Sequence, residues 1–261
     1  MFKEHYDNMR PGPTPERVLA VSKLAACMNG TKDDVIKASL LYMQNSTASE
    51  IDTIRKSIDT AKELGILEEK DGKIKSIVDD KILSNYNTFR KYVSKRVFAT
   101  TSTSFFKVTE WYINKNEKIM EKENWEAIAA SAVADGIENI SENDILGWRF
   151  WVSFLGIGYL HNKTLIPNMY IRINDLIELA DWETNDRIPA NEFIKWLYSN
   201  APECKKNSTE ITLSLAVSNG LRTLHEQDKI ELIVQRDANR VRLYPIDGYP
   251  INDFSHVVIR G

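Results

Sequence analysis

The chain has 261 residues, of which 27% are charged and 43% are hydrophobic, and its formal net charge is −3. This is the composition of a globular protein, and the length fits one or two domains. No apolar run approaches the ~18 residues that a membrane span needs, and the N-terminus lacks the apolar region of a secretory signal. The two distant cysteines, Cys27 and Cys204, imply no disulfide framework and are too few for a zinc site. We expect a cytoplasmic protein with no membrane association.

Three helices are predicted in the first part of the chain. Pro15 suits the first turn of a helix over Glu16–Met28, because its missing N–H has no helical partner there. Thr31 is the expected N-cap of a second helix that runs through Leu41. A third helix begins near Thr47, and its apolar residues keep a 3.6-residue period. These residues are Ile51, Ile54, Ile58, Ala61 and Leu64.

A β-hairpin is predicted directly after the third helix. Asp71-Gly72 separates the strand-like runs Ile66–Lys70 and Lys73–Ile77. Asp-Gly is a strong signal for a hairpin turn, because both central residues need positive φ. Three helices followed by a hairpin is the order of elements in a winged helix, so we expect an N-terminal winged-helix unit over residues 1–79.

The last part of the chain repeats this plan. Val217, Leu221 and Leu224 have the spacing of one face of a helix. The alternating segments Ile230–Val234 and Val241–Tyr244 follow, and we interpret them as the two strands of one ribbon. The sequence therefore predicts a second helix that leads into a wing.

A shift of 163 residues superimposes the two helix–wing segments, and it pairs Ile58 with Leu221. We interpret this as a structural repeat. The first helix of the second unit is predicted at Ala190–Asn200, whereas its second helix is weakly marked in the polar stretch 202–209. The second winged-helix unit is expected to cover residues 187–261.

A helical middle domain, residues 80–186, is predicted between the two units. Its apolar residues keep helical periods, and no low-complexity linker interrupts it. The predicted helices are Tyr86–Phe98, Phe105–Met120, Trp125–Val133, Ile145–Leu160 and Met169–Ala180. The expected fold class is mainly α with small β-hairpin wings, in which two winged-helix units flank a helical middle.

The second unit carries the first candidates for DNA contact. Arg240 and Arg242 fall on the face opposite Val241 and Leu243, and Arg236 lies in the loop. Arginines on an exposed ribbon can straddle phosphates or enter a minor groove. Polar residues that we expect to point outward from the preceding helix suit backbone or base contacts. They are Ser218, Asn219 and Arg222.

Carboxylates near both wings favour other roles. In the second unit, the alternative is a solvated hairpin whose arginines pair with Glu231 and Asp237. In the first unit, carboxylates on the presumed recognition helix would repel phosphate. They are Glu50, Asp52, Asp59 and Glu63. A protein–protein or architectural role is therefore expected for the first unit.

The most basic segment lies in the middle. No acidic residue occurs from Lys81 to Thr109, and aromatic residues alternate there with positive charges along a predicted helix. One interpretation is a phosphate-contacting helix beside the first wing. Its candidate residues are Arg90, Lys91, Lys95 and Arg96. The alternative is a helix that meets the protein's own acidic segment Glu138–Asp144.

The sequence carries no catalytic or cofactor motif. The four histidines are scattered, and no HExxH, Gly-x-Ser-x-Gly or P-loop pattern occurs. Gly156-x-Gly158 follows a helical pattern and does not complete a dinucleotide fingerprint. The aromatic stretch around Trp148 and Trp151 is interpreted as a packed core helix. We expect no enzymatic activity, no metal and no cofactor.

At Ile51–Ile77 and Val217–Tyr244 the sequence resembles winged-helix domains. A second likeness rests on three segments of the chain. They are Trp148-Arg-Phe-Trp-Val-Ser-Phe-Leu-Gly-Ile-Gly, Leu165-Ile-Pro-Asn and the wing segment Arg236-Asp-Ala. They are similar to accessory winged-helix proteins of prokaryotic DNA-modification and phage-defence islands, such as the DpdG-like proteins. This resemblance implies an accessory role in antiviral defence and carries over no catalytic residue.

The expected function is to bind double-stranded DNA, or to present it to protein partners from the same operon. The second unit and the basic helix would make the contacts. One alternative is an assembly subunit whose winged helices bind proteins. The other is a ligand-responsive transcriptional regulator with the aromatic middle as its sensor.

Overall fold

The computed structural model describes residues 1–2, 9–162, 164–205 and 212–260. Within these ranges the chain is mainly helical, and its strands form small antiparallel sheets of two or three strands. The predicted fold class, mainly α with small β-hairpins, is confirmed.

The chain forms two compact units. The first comprises residues 1–105 and 129–154, and the second comprises 106–128 and 155–261. The predicted boundaries after residues 79 and 186 do not coincide with this division. The helices expected to form a middle domain, 80–186, are shared between the two units.

The first unit contains the predicted three helices and hairpin in the predicted order. In chain order the elements are α1 (Pro15–Met28), α2 (Lys32–Ser39), α3 (Ala48–Glu63), β1 (Leu67–Lys70), β2 (Lys73–Ser76), α4 (Asp80–Ser84), α5 (Tyr86–Val97), α6 (Ser104–Lys115), α7 (Trp125–Ala134) and α8 (Glu142–Phe154). The boundary between the units falls within α6 and within α7.

Local sequence signals set the ends of these elements. Thr31 and Thr47 each form a capping box, in which the threonine and a carboxylate three residues later exchange hydrogen bonds. The turn residues Asp71 and Gly72 have φ of 53° and 71°, the positive values that the hairpin prediction required. The hairpin and the caps are therefore properties of short stretches of sequence.

Helix α8 supplies the largest fully buried side chains of the first unit. Trp148 and Trp151 are both inaccessible to solvent, which confirms the prediction of a packed core helix. The Trp151 indole N–H donates to the Pro13 carbonyl at 2.8 Å. The Met9 N–H donates to the Asp144 carboxylate at 3.0 Å. These bonds fasten the segment that precedes α1 to α8.

The second unit combines helices with one three-stranded sheet and two smaller sheets. After a 3-10 turn at Asn116–Ile119, its elements are β3 (Gly158–His161), β4 (Thr164–Pro167), α9 (Tyr170–Ile177), β5 (Arg187–Pro189), α10 (Ala190–Asn200), α11 (Leu215–Glu226), β6 (Ile230–Ile233), β7 (Val241–Arg242), β8 (Asp253–Phe254) and β9 (His256–Ile259). Helix α10 has the predicted bounds. Of the weakly marked second helix, Pro202–Cys204 forms a 3-10 turn, and 206–209 lie outside the described residues.

One predicted helix is shorter than expected. The helix predicted at Ile145–Leu160 ends at Phe154, and Leu160 lies in the β3–β4 hairpin. Gly156 has a φ of 77°, and a Cβ there would be 2.7 Å from the Arg172 backbone nitrogen. The chain turns at this residue because glycine alone tolerates both the left-handed backbone and the close approach.

The predicted pairing of the last strands is wrong. β6 pairs with β9, and β7 pairs with β8. β9 also pairs with β5, so the strand order of the sheet is β5-β9-β6. The segment after residue 255 takes the place expected for Val241–Tyr244, because its apolar Val257 and Ile259 complete the buried face beside Leu232.

The two units repeat one helix–strand junction. In each unit the chain reverses through a residue with positive φ, Gly65 after α3 or Asp228 after α11. The next N–H, from Ile66 or Lys229, donates to the carbonyl five residues earlier. Gly65 corresponds to Asp228, and Ile66 to Lys229, under the shift of 163 residues that the sequence indicated. The predicted structural repeat is confirmed for this junction.

The close approach between α8 and the segment before α1 gives a test of the first core. A Cβ placed on Gly147 would lie 1.7 Å from the Met9 carbonyl oxygen. We predict that Gly147→Ala lowers the free energy of unfolding by about 3 kcal/mol, because overpacking displaces the backbone. Urea unfolding of the full chain measures this decrease. The control Asn143→Ala, at an exposed position of α8, should change the free energy of unfolding by less than about 0.5 kcal/mol. Equal decreases of the unfolding free energy in both variants would contradict the close packing at Gly147.

Candidate nucleic-acid interface

Three predicted arginines lie on the surface of the second unit. Val241 and Leu243 are buried, whereas Arg240 and Arg242 are exposed on the opposite face. Arg236, in the loop after β6, is also exposed. The predicted orientation of these side chains is confirmed, although the strand that carries two of them pairs with β8.

A fourth arginine reaches the same place from β5. Arg187 Nη2 donates to Gln235 Oε1 at 2.9 Å, and Arg240 Nη2 lies 3.5 Å from the backbone oxygen of the same glutamine. Sequence reasoning missed Arg187, because the sheet order that brings it here joins segments far apart in the chain. The four residues are named the arginine cluster: Arg187, Arg236, Arg240 and Arg242.

The arginine cluster is only partly neutralised. Asp253 lies opposite Arg242 in the β7–β8 pairing and accepts a hydrogen bond from Arg240 Nη1 at 3.3 Å. Glu231, which was considered as a partner of the wing arginines, forms an ion pair with Arg260, outside the cluster. In the part of the chain that the structure describes, the side chains of Arg236 and Arg242 form no hydrogen bond or ion pair. These two guanidinium groups can therefore take an anionic ligand.

Helix α11 does not present the predicted contact surface. Ser218 and Arg222 were expected to point outward, and this is wrong, because they are 0% and 3% exposed. Asn219 is half-buried and donates through Nδ2 to a backbone carbonyl of β4 at 3.0 Å. A Cβ on Gly220 would lie 2.8 Å from the Met169 carbonyl carbon, so the start of α9 packs directly on α11. This packing removes the helical residues from the candidate interface.

Ser218 and Arg222 hold the loop that follows the arginines. Ser218 Oγ accepts a hydrogen bond from the Tyr244 N–H at 2.8 Å. Arg222 Nη2 donates to the Tyr244 and Ile251 carbonyls at 2.8 and 3.1 Å. Its guanidinium lies 4.7 Å from the centre of the Tyr249 ring. Both ends of this segment, the 244–251 loop, are thereby attached to α11, which sets the positions of β7 and β8 on either side.

Two tyrosines of the 244–251 loop donate hydrogen bonds to carboxylates. The Tyr244 hydroxyl donates to Glu117, and the Tyr249 hydroxyl donates to Glu226. Burial and the neighbouring carboxylate raise the pKa of each tyrosine to about 12. The Tyr244 hydroxyl in turn lowers the pKa of Glu117. These hydrogen bonds add two further attachments of the 244–251 loop to the second unit.

The basic helix α5 lies beside the start of the first hairpin, where it was expected. The Tyr92 hydroxyl donates to the Gly65 carbonyl at 2.8 Å. The Arg96 guanidinium stacks on the Tyr92 ring, 4.7 Å from its centre. Of the four predicted residues, two are exposed, Lys95 and Arg96, and two are half-buried, Arg90 and Lys91.

The carboxylates of α3 are engaged within the first unit. The alternative interpretation placed the acidic segment Glu138–Asp144 against α5, and in this segment the Asp144 carboxylate accepts a hydrogen bond from the Met9 N–H. Lys95 and Arg96 form no ion pair with another residue of the described ranges. The four carboxylates of α3 all have partners: Glu50, Asp52, Asp59 and Glu63. The exposed cations of α5 therefore remain available while the acids of α3 are occupied.

Comparison of this chain with protein-family models, with curated proteins and with solved structures finds no match. In the ranges that the structure describes, no three histidine, cysteine, aspartate or glutamate side chains are grouped so that they could hold a metal ion. No described helix combines the length and apolar character that crossing a membrane requires. The candidate contacts are two separate surfaces, the arginine cluster of the second unit and helix α5 of the first unit.

The attachment of the 244–251 loop to α11 gives a second test. We predict that Arg222→Met lowers the free energy of unfolding by about 3 kcal/mol, because two carbonyls are deprived of a buried charged donor. Arg242→Met makes the same chemical change at an exposed position and should cost less than about 0.5 kcal/mol. Urea unfolding followed by tryptophan fluorescence compares the two variants. Similar decreases in both would show that Arg222 does not support the loop.

Proposed function

We propose that this protein binds double-stranded DNA without catalysing a reaction, and that the arginine cluster contacts the phosphate backbone. The observation that carries the proposal is the placement of four arginines at one surface of the second unit. A guanidinium group presents a planar set of N–H donors that matches two phosphate oxygens. The cluster therefore offers geometric as well as electrostatic complementarity to a phosphate backbone.

The net charge of −3 does not oppose DNA binding. Attraction to phosphate depends on the local density of positive charge, not on the total. Of the carboxylates on the same strands, Asp253 is bonded to Arg240 and Glu231 is paired with Arg260. Arg236 and Arg242 keep exposed guanidinium groups although the chain as a whole is acidic.

The proposed contact is with the DNA backbone and not with base edges. Base readout in the major groove needs a helix or ribbon whose side chains reach into the groove. Helix α11 leads into β6, but eight of its twelve residues are buried. We therefore expect affinity to vary little with DNA sequence. Such binding suits a protein that presents DNA to partner proteins.

Helix α5 is the second proposed phosphate contact. It has twelve residues and no acidic side chain, and two of its cations, Lys95 and Arg96, are exposed. The stacking of Arg96 on Tyr92 restricts the guanidinium before DNA arrives, so the side-chain entropy cost of binding is smaller. Arg90 and Lys91 belong to the same proposed contact.

The resemblance to accessory winged-helix proteins supports a place for this DNA-binding role in a prokaryotic antiviral defence system. In that role the protein works in the cytoplasm beside partners from the same operon. The two helix–hairpin units are proposed to belong to the winged-helix superfamily.

Neutralising the arginine cluster tests the main contact. We predict that replacing its four arginines with glutamine weakens binding to a mixed-sequence duplex on the order of 100-fold at about 50 mM salt. The slope of log affinity against log salt should fall by about 0.9 for each phosphate that the protein no longer neutralises. Fluorescence anisotropy at several salt concentrations measures both quantities.

A charge-matched variant controls for the change in net charge. Four exposed cations elsewhere are replaced by glutamine in the control: Arg17, Lys23, Lys195 and Lys205. This control should keep the affinity within about threefold of the parent. An equal decrease in both variants, or no binding by the parent at low salt, would overturn the proposal.

A separate variant tests helix α5. We predict that Lys95→Gln with Arg96→Gln weakens duplex binding about tenfold and lowers the salt slope by about 1 to 2, because two phosphates are no longer neutralised. The pair Arg17→Gln with Lys23→Gln, on α1 of the same unit, is the matched control. Unchanged affinity in the α5 variant would restrict DNA contact to the second unit.

A further inference from the structure

The connection between α2 and α3 presents apolar side chains to solvent. Leu41 is 81% exposed, and Tyr42 and Met43 are each 67% exposed. In the described ranges these are the three most exposed large hydrophobic residues. Because they are consecutive, they form one patch, and contiguous apolar patches on a protein surface are typical of interaction sites.

Hydrogen bonds hold this connection in a defined conformation. The Leu41 N–H donates to the Ala38 carbonyl at 3.0 Å, and the Tyr42 N–H donates to the Lys37 carbonyl at 2.9 Å. These two bonds form the Schellman motif that closes the end of a helix. On the other side, α3 begins at the capping box of Thr47. The apolar side chains therefore project from an ordered backbone.

Two residues of the connection adopt a conformation that their side chains disfavour. Leu41 has a φ of 52° and Tyr42 a φ of 56°. In the part of the chain that the structure describes, the other seven non-glycine residues with positive φ are all Asn or Asp. Glycine is the usual residue at the position of Leu41 in a Schellman motif. Large apolar side chains at strained and exposed positions are typical of a binding site.

A groove of about 390 Å³ lies beside these residues. Its apolar wall consists of Ile36, Leu40, Tyr42, Met43 and Ile51. A groove of this volume, with one apolar wall and polar residues along its border, is suited to a small number of apolar side chains from a partner. Tyr42 and Met43 belong to both the patch and the groove, so the two form one surface, the α2–α3 groove.

The charged residues that line the α2–α3 groove favour an acidic partner. Lys37 and Arg55 contribute two positive charges, and Asp33 contributes one negative charge. Among the residues described, none of the three side chains has a hydrogen bond or ion pair. The carboxylates of Asp34 and Glu50 are held in capping boxes outside the groove lining and keep their charges. Within the lining itself the two cations outnumber the one carboxylate, so an approaching partner meets an apolar wall bordered by Lys37 and Arg55.

We propose that the α2–α3 groove binds an amphipathic helix of a partner protein. The apolar residues of that helix enter the groove, and acidic residues along its border face Lys37 and Arg55. An amphipathic helix satisfies both features, because it carries apolar anchors on one face and charges beside them. DNA is disfavoured as the occupant, because its phosphate backbone gains nothing from covering apolar surface. This site is separate from the arginine cluster, which belongs to the second unit.

Two synthetic helical peptides test the proposal on the full chain. Both have about 16 residues with leucine at i, i+3, i+4 and i+7, and they differ only in carrying glutamate or lysine at the border positions. We predict from fluorescence anisotropy that the acidic peptide binds at least about tenfold more tightly than the basic one. Charge reversal by Lys37→Glu with Arg55→Glu should invert this preference, which a purely structural role of these residues would not do.

Removal of the apolar patch tests the other half of the surface. We predict that Leu41→Ser with Met43→Ser weakens binding of the acidic peptide at least about tenfold. Ile77→Ser with Val133→Ser removes exposed apolar side chains of the same unit from other places and serves as the matched control. Duplex DNA binding should be unchanged in all these variants, so failure here is distinguishable from failure of the DNA-binding proposal.

Several outcomes would overturn the proposed site. They are equal binding of the two peptides, no binding of either, or equal damage from the control variant. Sedimentation velocity adds another test. A dimer of the parent chain that Leu41→Ser with Met43→Ser dissociates would assign the α2–α3 groove to a second copy of the chain instead of a partner protein.

Discussion

Buried Ser218 and Arg222 fix the 244–251 loop of the second unit, because Ser218 accepts a hydrogen bond from the loop and Arg222 donates to it. A buried guanidinium needs hydrogen-bond acceptors, and backbone carbonyls at both ends of the loop accept from Nε and Nη2 of Arg222. Both ends of the loop, Tyr244 and Ile251, are therefore held at fixed positions on α11. As a result, the strands that flank the loop, β7 and β8, pair in register. This register directs Arg240 and Arg242 to solvent. The buried arginine thus positions the exposed ones.

The same helix–strand junction serves different purposes in the two units. Helices α3 and α11 end in equivalent hydrogen bonds and lead into strands 163 residues apart. Eight of the twelve residues of α11 are buried, against four of the sixteen residues of α3. Exposure of a helix depends on what packs against it, so a local repeat does not imply a repeated function. In the second unit, the arginines lie on strands and loops because the helix is occupied.

The two units also differ in the kind of surface they offer. The first unit carries the α2–α3 groove, which has an apolar wall, and the second carries the arginine cluster. Interactions between exposed charges are screened by salt, whereas burial of apolar surface is not. A protein with both kinds of surface can hold a protein partner firmly while its hold on DNA responds to ionic conditions. The proposed roles of DNA binding and partner binding are therefore compatible within one chain.

Much of the first unit follows from short stretches of sequence. The capping threonines, the Asp-Gly turn and the helical periods are local signals, and they placed three helices and a hairpin correctly. The alternation of Val241 and Leu243 with Arg240 and Arg242 also fixed which side chains face water, because successive residues of an extended chain point to opposite sides. These features depend on neighbours within a few residues.

Only the tertiary structure decided the strand partners, the burial of α11 and the composition of the arginine cluster. Alternation predicts that a segment is a strand but not which strand it joins, so β6 and β7 were wrongly paired. Helical spacing identifies the most apolar face of α11, but not that α9 and the 244–251 loop also cover its polar residues. Arg187 has no local signal at all. Each of these outcomes depends on interactions between distant segments, which local patterns of sequence do not encode.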